Sequence, residues 1–289
     1  MAARAATLEE LRNLSGRQSV SVIITTFNEE INVGDCIESV LWADEILLVD
    51  SLSSDRTVEI ARRYPVTILE REYYGSAAQK NWAMDRVKND WVLIIDADER
   101  VPEPLAREIL TVLASQPTVN GYYIRRENLF IDKVIRHSGW STDKVVRLFR
   151  RDKGRYPNRR VHADMMTLGA APKLDHPMDH YMVRDLSEYV HRISKYGVWG
   201  AAQGWRDNRR SGILQVIGRP TWRFLRTYVF QLGFLDGFHG LVFCALQAFG
   251  TFLKWTILWG WRLTGKPRLP EFDESAETWQ LLDQQQNES

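Results

Sequence analysis

Apolar runs separated by short polar turns set the pattern of the first hundred residues. Residues 19–26 (SVSVIITT) are β-branched and apolar and predict a buried strand; beyond Phe27-Asn28-Glu29-Glu30, the apolar Ile31, Ile37, Val40 and Leu41 fall at helical spacing. Residues 44–50 (DEILLVD) predict a second strand, and the Ser and Asp of 51–55 suit the N-cap of a helix over 57–64. A third, shorter strand is expected at 66–70 and a helix at 75–87. Then comes WVLIIDADER at 91–100, a strand whose apolar run, Val92 to Ile95, ends on Asp96 and Asp98. Strands alternating with helices predict an α/β protein with a mostly parallel sheet covered on both faces. Such sheets bind ligands beyond the carboxyl ends of their strands.

The pattern changes twice further on. Residues 121–126 (GYYIRR) and 144–150 (KVVRLFR) read as strands bracketing the loop 137–143 (HSGWSTD), and 186–205 reads as a helix. Past Ser211-Gly212, Arg219, Arg223 and Arg226 recur on one side of a helix whose other side carries Trp222, Leu225, Val229 and Leu232. Residues 240–261 hold Lys254 as their only formal charge, in a stretch longer than the roughly 20 residues that span a bilayer. Gln247, Thr251 and Lys254 nevertheless form a polar stripe unsuited to a lipid-exposed spanning helix. Together with Trp255 and Trp259, this predicts a helix lying in the interface of an anionic membrane, ahead of a spanning helix or one covering the catalytic domain. The expected organisation is an extension at 1–18, a main α/β domain at 19–183 (halves 19–115 and 116–183), a helical membrane-associating region at 184–270 and an acidic, Gln-rich tail at 271–289.

Composition narrows the class. With 289 residues, 44% hydrophobic and 26% charged, the chain can bury a large core, and its net charge of +1 argues against a generally basic nucleic-acid binder. Cys36 and Cys244 lie far apart, which gives neither a disulfide framework nor a cysteine zinc spacing. Residues 1–18 lack the apolar core of a secretory signal, so a cytosolic catalytic part is expected.

The polar residues at the strand ends carry the candidate chemistry. They are Thr26, Asn28 and Glu29 after the first strand, Asp50, Ser51 and Ser53 after the second, and Asp96 and Asp98 after the fourth. No glycine-rich dinucleotide or P-loop sequence stands at these turns, which argues against a Rossmann dehydrogenase or a P-loop NTPase. Carboxylates there suit the hydroxyl and N–H donors of a nucleoside, and two strand-tip carboxylates suit Mg2+ or Mn2+ carrying a diphosphate. A solvated acidic turn is the plain alternative for Asp96 and Asp98, and a loop cap for Asp50. Lys80 is placed to offset diphosphate charge or to sit solvated on the surface.

In the middle section, Asp143 is the first candidate for a general base, and Trp140 suits either stacking on the apolar face of a ligand ring or core packing. Arg147, Arg150, Arg151, Lys153, Arg155, Arg159 and Arg160 face Asp152 alone, a solvated basic loop or an arginine site for donor or acceptor phosphates.

The order TTFNEE, DEILLVDSLSSDRT, AAQKNWA and DWVLIIDADER resembles glycosyltransferase family 2, the inverting enzymes of GT-A fold, over about the first 110 residues. The resemblance implies a nucleotide-sugar donor, with Phe27, Asn28 and Glu29 near base and ribose, Asp50 on the uracil, Gln79 and Lys80 on the donor side, and Asp96 and Asp98 on a divalent metal. HSGW, RLFRR, Val161-His162 and His180-Tyr181 further resemble the bacterial lipopolysaccharide core β-glucosyltransferases. Where that subgroup leads one to expect a glutamate directly after Val-His, this chain has Ala163 and then Asp164. The base stays open among Asp143, Asp164 and His162, and His180 is a further metal candidate.

The expected activity is transfer of a hexose, glucose first, from a UDP-sugar to a lipid-linked glycan at the cytoplasmic face of the inner membrane. A sugar nucleotidyltransferase, which should carry a glycine-rich basic loop where this chain has TTFNEE, and a non-catalytic nucleotide-sugar-binding scaffold are the alternatives.

Overall fold

A computed structural model of the chain describes residues 6–140, 143–157, 165–167, 169 and 171–267. Arg159, Arg160, His162, Asp164 and the tail at 271–289 therefore lie outside the described residues. The chain forms two compact units, one of residues 1–128 and 142–182, the other of 129–141 and 183–289.

The first unit begins with α1 (Leu8–Arg12), closed by a Thr7–Glu10 capping box, and β1 (Val20–Thr26). Alternation follows through α2 (Val33–Glu38), β2 (Glu45–Asp50), α3 (Thr57–Ala61), β3 (Thr67–Glu70), α4 (Ser76–Met84) and β4 (Trp91–Asp96). Next come β5 (Glu99–Arg100), α5 (Glu103–Ala114), β6 (Gly121–Phe130), β7 (Lys133–Val134), β8 (Lys144–Arg150), β9 (Gly154–Arg155), β10 (Met166–Thr167) and β11 (Met178–Val183). The sheet runs β3-β2-β1-β4-β8-β6-β11-β5, with β7 beside β6; β9 and β10 form a separate pair.

Half of this sheet matches the parallel expectation. β1 pairs in parallel with β2 and β4, and β2 with β3, whereas β8 is antiparallel to β4 and β6 and β5 is antiparallel to β11. The sheet is thus mixed, because no helical crossover separates β6 from β8. Strand register fixes the site: Thr26 lies opposite Asp50 and Thr25 opposite Asp96, so three strands deliver polar residues to one edge.

Alternation along β1 builds both cores. Val20, Val22 and Ile24 pack with Leu105, Ile109 and Leu113 of α5 on one face; Ile23 packs with Leu47, Ile94 and Met84 on the other. Helix α5 was not anticipated, although its apolar residues recur at helical spacing behind Pro102 and Pro104.

In the second unit, α6 (Leu186–Arg206) is N-capped by Asp185, α7 (Arg219–Leu225) lies between wider π-type turns over Leu214–Gly218 and Arg226–Phe230, and α8 covers Gly237–Thr264. Phe130, Tyr189, Phe243 and Trp140 meet edge to face, with centroids 5.2–6.1 Å apart. Buried Asp236 accepts the backbone N–H groups of Arg136 and His137 at 3.1 and 3.0 Å and faces His137 Nδ1 at 3.0 Å.

Candidate active site

Two loops at the ends of β1 and β2 clasp each other. Asn28 adopts a left-handed backbone (φ 53°), which asparagine tolerates better than most side chains. Its N–H donates to Ser53 Oγ (2.8 Å), and its Oδ1 accepts the Ser54 N–H (2.8 Å). Ser53 in turn donates its N–H and hydroxyl to the two oxygens of Asp50, at 2.7 and 2.5 Å, while the Glu29 N–H reaches Thr57 Oγ1 at 2.7 Å. Asp50 is buried, so its ties to Ser53 hold a carboxylate edge in a fixed direction. Phe27, in the loop after β1, is exposed. Gln79, on α4, donates to Ser51 Oγ (3.2 Å), and both Gln79 Oε1 and Thr26 Oγ1 are buried without a protein partner. Buried polar atoms are seldom left unpaired, and these two fit a polar ligand at this edge.

At the end of β4, Asp96 is held between two cations. Its Oδ1 accepts Lys80 Nζ (2.7 Å) and Thr25 Oγ1 (2.8 Å), and its Oδ2 accepts Arg147 Nη2 (2.7 Å). Burial alone would raise the carboxyl's pKa; the charges of Lys80 and Arg147 outweigh it and hold Asp96 well below the usual carboxylate range. Lys80 is buried, so the solvated-lysine alternative does not describe it.

Arg147 also binds Glu99 at 2.5 Å, and burial, which would lower its pKa, is outweighed by Glu99 and Asp96. Glu99 has no solvent exposure. It accepts the Asp96 N–H at 2.9 Å and faces Arg126 Nη1 at 3.4 Å, while Arg126 grips both oxygens of Asp143 at 2.9 and 3.0 Å. Burial pushes the Asp143 pKa up, but Arg126 and the Asn128 amide bring it below its ordinary value.

Asn128 extends this network to His180. Because a carboxylate only accepts, the Asn128 atom 3.0 Å from Asp143 must be the NH2 group. Its Oδ1 therefore accepts a hydrogen bond from His180 Nδ1–H at 2.6 Å, leaving Nε2 directed at Asp98 Oδ2, 3.4 Å away. Burial depresses the His180 pKa, but Asp98 more than reverses this, and the ring keeps a second proton to higher pH than usual. A cation at Nε2 replaces such a proton. Asp98 and His180 thus offer one hard oxygen and one oriented imidazole nitrogen, with Asn128 fixing the tautomer as metal-ligating histidines require. Among the described residues no three His, Cys, Asp or Glu side chains converge, so further ligands would come from phosphate oxygens or water.

Not every anticipated residue belongs to this edge. Arg150 pairs with Trp91 at the opposite end of β4, and its Nε lies 3.8 Å from Asp152. Trp140 is half-buried and packs edge-on against Phe243 at 5.2 Å, as core packing predicts. Of the membrane candidates, Arg219, Trp222, Arg223, Arg226 and Trp259 are exposed, whereas Trp255 is buried beneath the Arg219 guanidinium (4.5 Å) and Lys254 lies against Gly200. Trp255 is an internal packing residue, since the adjoining helices cover it. Glu99, Arg126 and Asn128 were not anticipated; Arg126 and Asn128 alternate along β6, which puts them on one face.

The model for glycosyl transferase family 2 matches residues 21–171, more than half of the chain. The chain belongs to glycosyltransferase family 2. It is 28% identical over 243 residues to the lipopolysaccharide core biosynthesis glycosyltransferase LpsC of Rhizobium meliloti, covering 79% of this chain and 90% of that protein. An uncharacterised glycosyltransferase of Rickettsia typhi is 26% identical over 249 residues, 82% of this chain and 85% of its own. Among solved structures, S. aureus TarS is matched with a TM-score of 0.45 and 14% identity over 75% of this chain and 45% of its own. Glucosyl-3-phosphoglycerate synthase of Mycobacterium tuberculosis, solved with Mn2+, UDP and glucosyl-3-phosphoglycerate, is matched with a TM-score of 0.36 and 22% identity over 45% of this chain and 50% of its own. This family 2 enzyme is a glycosyltransferase of GT-A fold with a C-terminal helical extension.

Proposed function

We propose that this glycosyltransferase moves a hexose, with glucose the first candidate, from a UDP-sugar to a lipid-linked glycan of the lipopolysaccharide core type, with inversion at the sugar carbon. The observation that carries the donor half is the convergence of Asp50, Asp96, Asp98 and His180 with Lys80 and Arg147. A nucleoside's N–H and hydroxyl donors match Asp50 and Asp96, while Lys80 and Arg147 supply positive charge beside the diphosphate. Asp98 and His180 would hold a divalent cation, Mg2+ or Mn2+, whereas Asp96, expected beside them as a ligand, has both oxygens taken by Lys80, Thr25 and Arg147 and is left to the donor; when bound, the ion supplies charge stabilisation to the leaving diphosphate.

The chain's own residues do the rest. Asn128 keeps His180 in one tautomer, Glu99 and Thr25 fix the backbone and side chain of Asp96, and Arg126 orients Asp143. Asp143 is the described candidate for taking the acceptor's proton. Its low basicity suits a transfer that occurs late, once the acceptor oxygen has begun to bond to the sugar and become acidic. The acceptor assignment draws on the relationship to LpsC, and the site of action on the cytoplasmic face of the inner membrane draws on the apolar, basic C-terminal helices.

A panel of UDP-sugars and GDP-sugars, assayed for UDP or GDP release with Mg2+ or Mn2+, tests the reading. Release of UDP from a UDP-hexose is expected. Turnover of GDP-sugars alone would overturn the donor assignment.

A further inference from the structure

Helix α8, with the turn before it, is long and apolar enough to cross a bilayer, yet it does not stand alone. It lies along α6. Gln247 donates to Tyr189 Oη (3.0 Å), a Cβ on Gly197 would touch Leu253 and one on Gly204 would meet Leu258 at 2.8 Å, and Arg262 donates to the Trp205 carbonyl at 3.1 Å. Rising numbers on one helix meet rising numbers on the other, so the two run parallel. The outer side of α6 exposes Glu188, His191, Lys195, Gln203 and Arg206. Were α8 to cross the membrane, α6 would cross beside it and carry these groups to hydrocarbon depth, where charged side chains facing lipid are costly and rare. The chain linking two parallel spanning helices would also have to recross with Arg219, Arg223 and Arg226. Spanning is therefore incompatible with the packing of this unit.

Lying flat carries no such penalty. Leu214 is 76% exposed and Ile217 55%, while Trp222 and Phe230, in ring contact at 5.7 Å, are 57% and 67% exposed. Between Asn208 and Lys266 the single acidic residue is the buried Asp236, whereas Arg219, Arg223 and Arg226 all reach solvent. An apolar, aromatic face set among arginines complements an anionic leaflet, and the same arginines disfavour a second copy of this chain as the occupant.

We infer that α7 and α8 lie in the plane of one leaflet of an anionic membrane, with Leu214, Ile217, Trp222 and Phe230 entering the acyl chains and the arginines at the headgroups. This rests on the membrane-attached part of the proposed function and not on its chemistry.

The full chain is sedimented with phosphatidylcholine vesicles with and without phosphatidylglycerol. Binding is expected to need the anionic lipid and to fall by at least about tenfold in the double variant Leu214→Glu, Ile217→Glu. Its two positions are exposed, and UDP release in detergent should stay unchanged. Separately, Asp132→Cys, beside His239 near the start of α8, and Lys266→Cys, at its far end, are treated with an impermeant maleimide in inside-out membrane vesicles. Both should label, because both ends lie on one side. Labelling at one end only would establish a spanning helix and overturn the inference. So would loss of self-association, instead of loss of vesicle binding, in the double variant, or failure of the active chain to bind anionic vesicles.

Discussion

Asp98 and His180 face each other with little else to stabilise by their contact, so Asp98→Ala should leave the melting temperature near that of the parent while lowering UDP release by at least about a hundredfold. Asn128→Ala should act one step removed. It frees the imidazole to rotate and should weaken Mn2+ binding, read by calorimetry, by about 10–100-fold. The held-down pKa of Asp143 sets the sign of a pH effect. A base must be deprotonated, so the acid limb of kcat/KM should lie below the ordinary carboxylate range, and Arg126→Gln, which removes the charge lowering that pKa, should move the limb to higher pH. A limb unmoved by that substitution would remove Asp143 from the role. Asp96, Asp98, Asp50 and Lys80 were legible in the sequence because each follows an apolar strand or sits on the helix between two of them. Glu99 was not: it reads locally as one more acid in an acidic turn, and only Arg126 and Arg147, 27 and 48 residues away, make its burial tolerable.

The elements that were legible are those whose signal is local. β1, β2 and β4 are continuous apolar runs closed by turn chemistry, and their ends fall within a residue or two of where periodicity puts them. The pairing of β5 with β11 joins residues 99 and 180, a contact that no local pattern encodes, and it brings His180 to the strand edge. Local chemistry also controls where elements are anchored. Asp44 takes two hydrogen bonds from Arg17 and one from the Val20 N–H, tying the start of β1 to β2. Its burial would raise the pKa, but these bonds lower it below 3.8. Its contribution to stability is thus fully present above the unfolded pKa and lost as pH falls through the lower folded value. The stability gap between parent and Asp44→Asn should be constant at neutral pH and close below about pH 4. In the second unit, a Cβ on Gly240 would stand 2.0 Å from the Gly233 carbonyl oxygen, whereas one on Gly260 meets nothing within 4 Å. Gly240→Ala should cost about 1–3 kcal/mol in thermal unfolding. Gly260→Ala should be neutral or stabilising by up to about 1 kcal/mol.

At the scale of the molecule, a GT-A domain supplies the donor edge and a helical unit supplies an apolar, basic surface. Hydropathy along the chain marked α8 as a candidate membrane helix but carried no geometry, since the polarity of α6 matters only once α6 is seen lying against α8. The proposed function stands on metal-assisted transfer from a UDP-sugar at the DAD edge. It is tested most directly by UDP release from UDP-glucose in the presence of Mn2+, comparing the parent chain, the parent with EDTA, and Asp98→Ala. UDP release by the parent alone is the predicted result; undiminished release by Asp98→Ala in EDTA would contradict it.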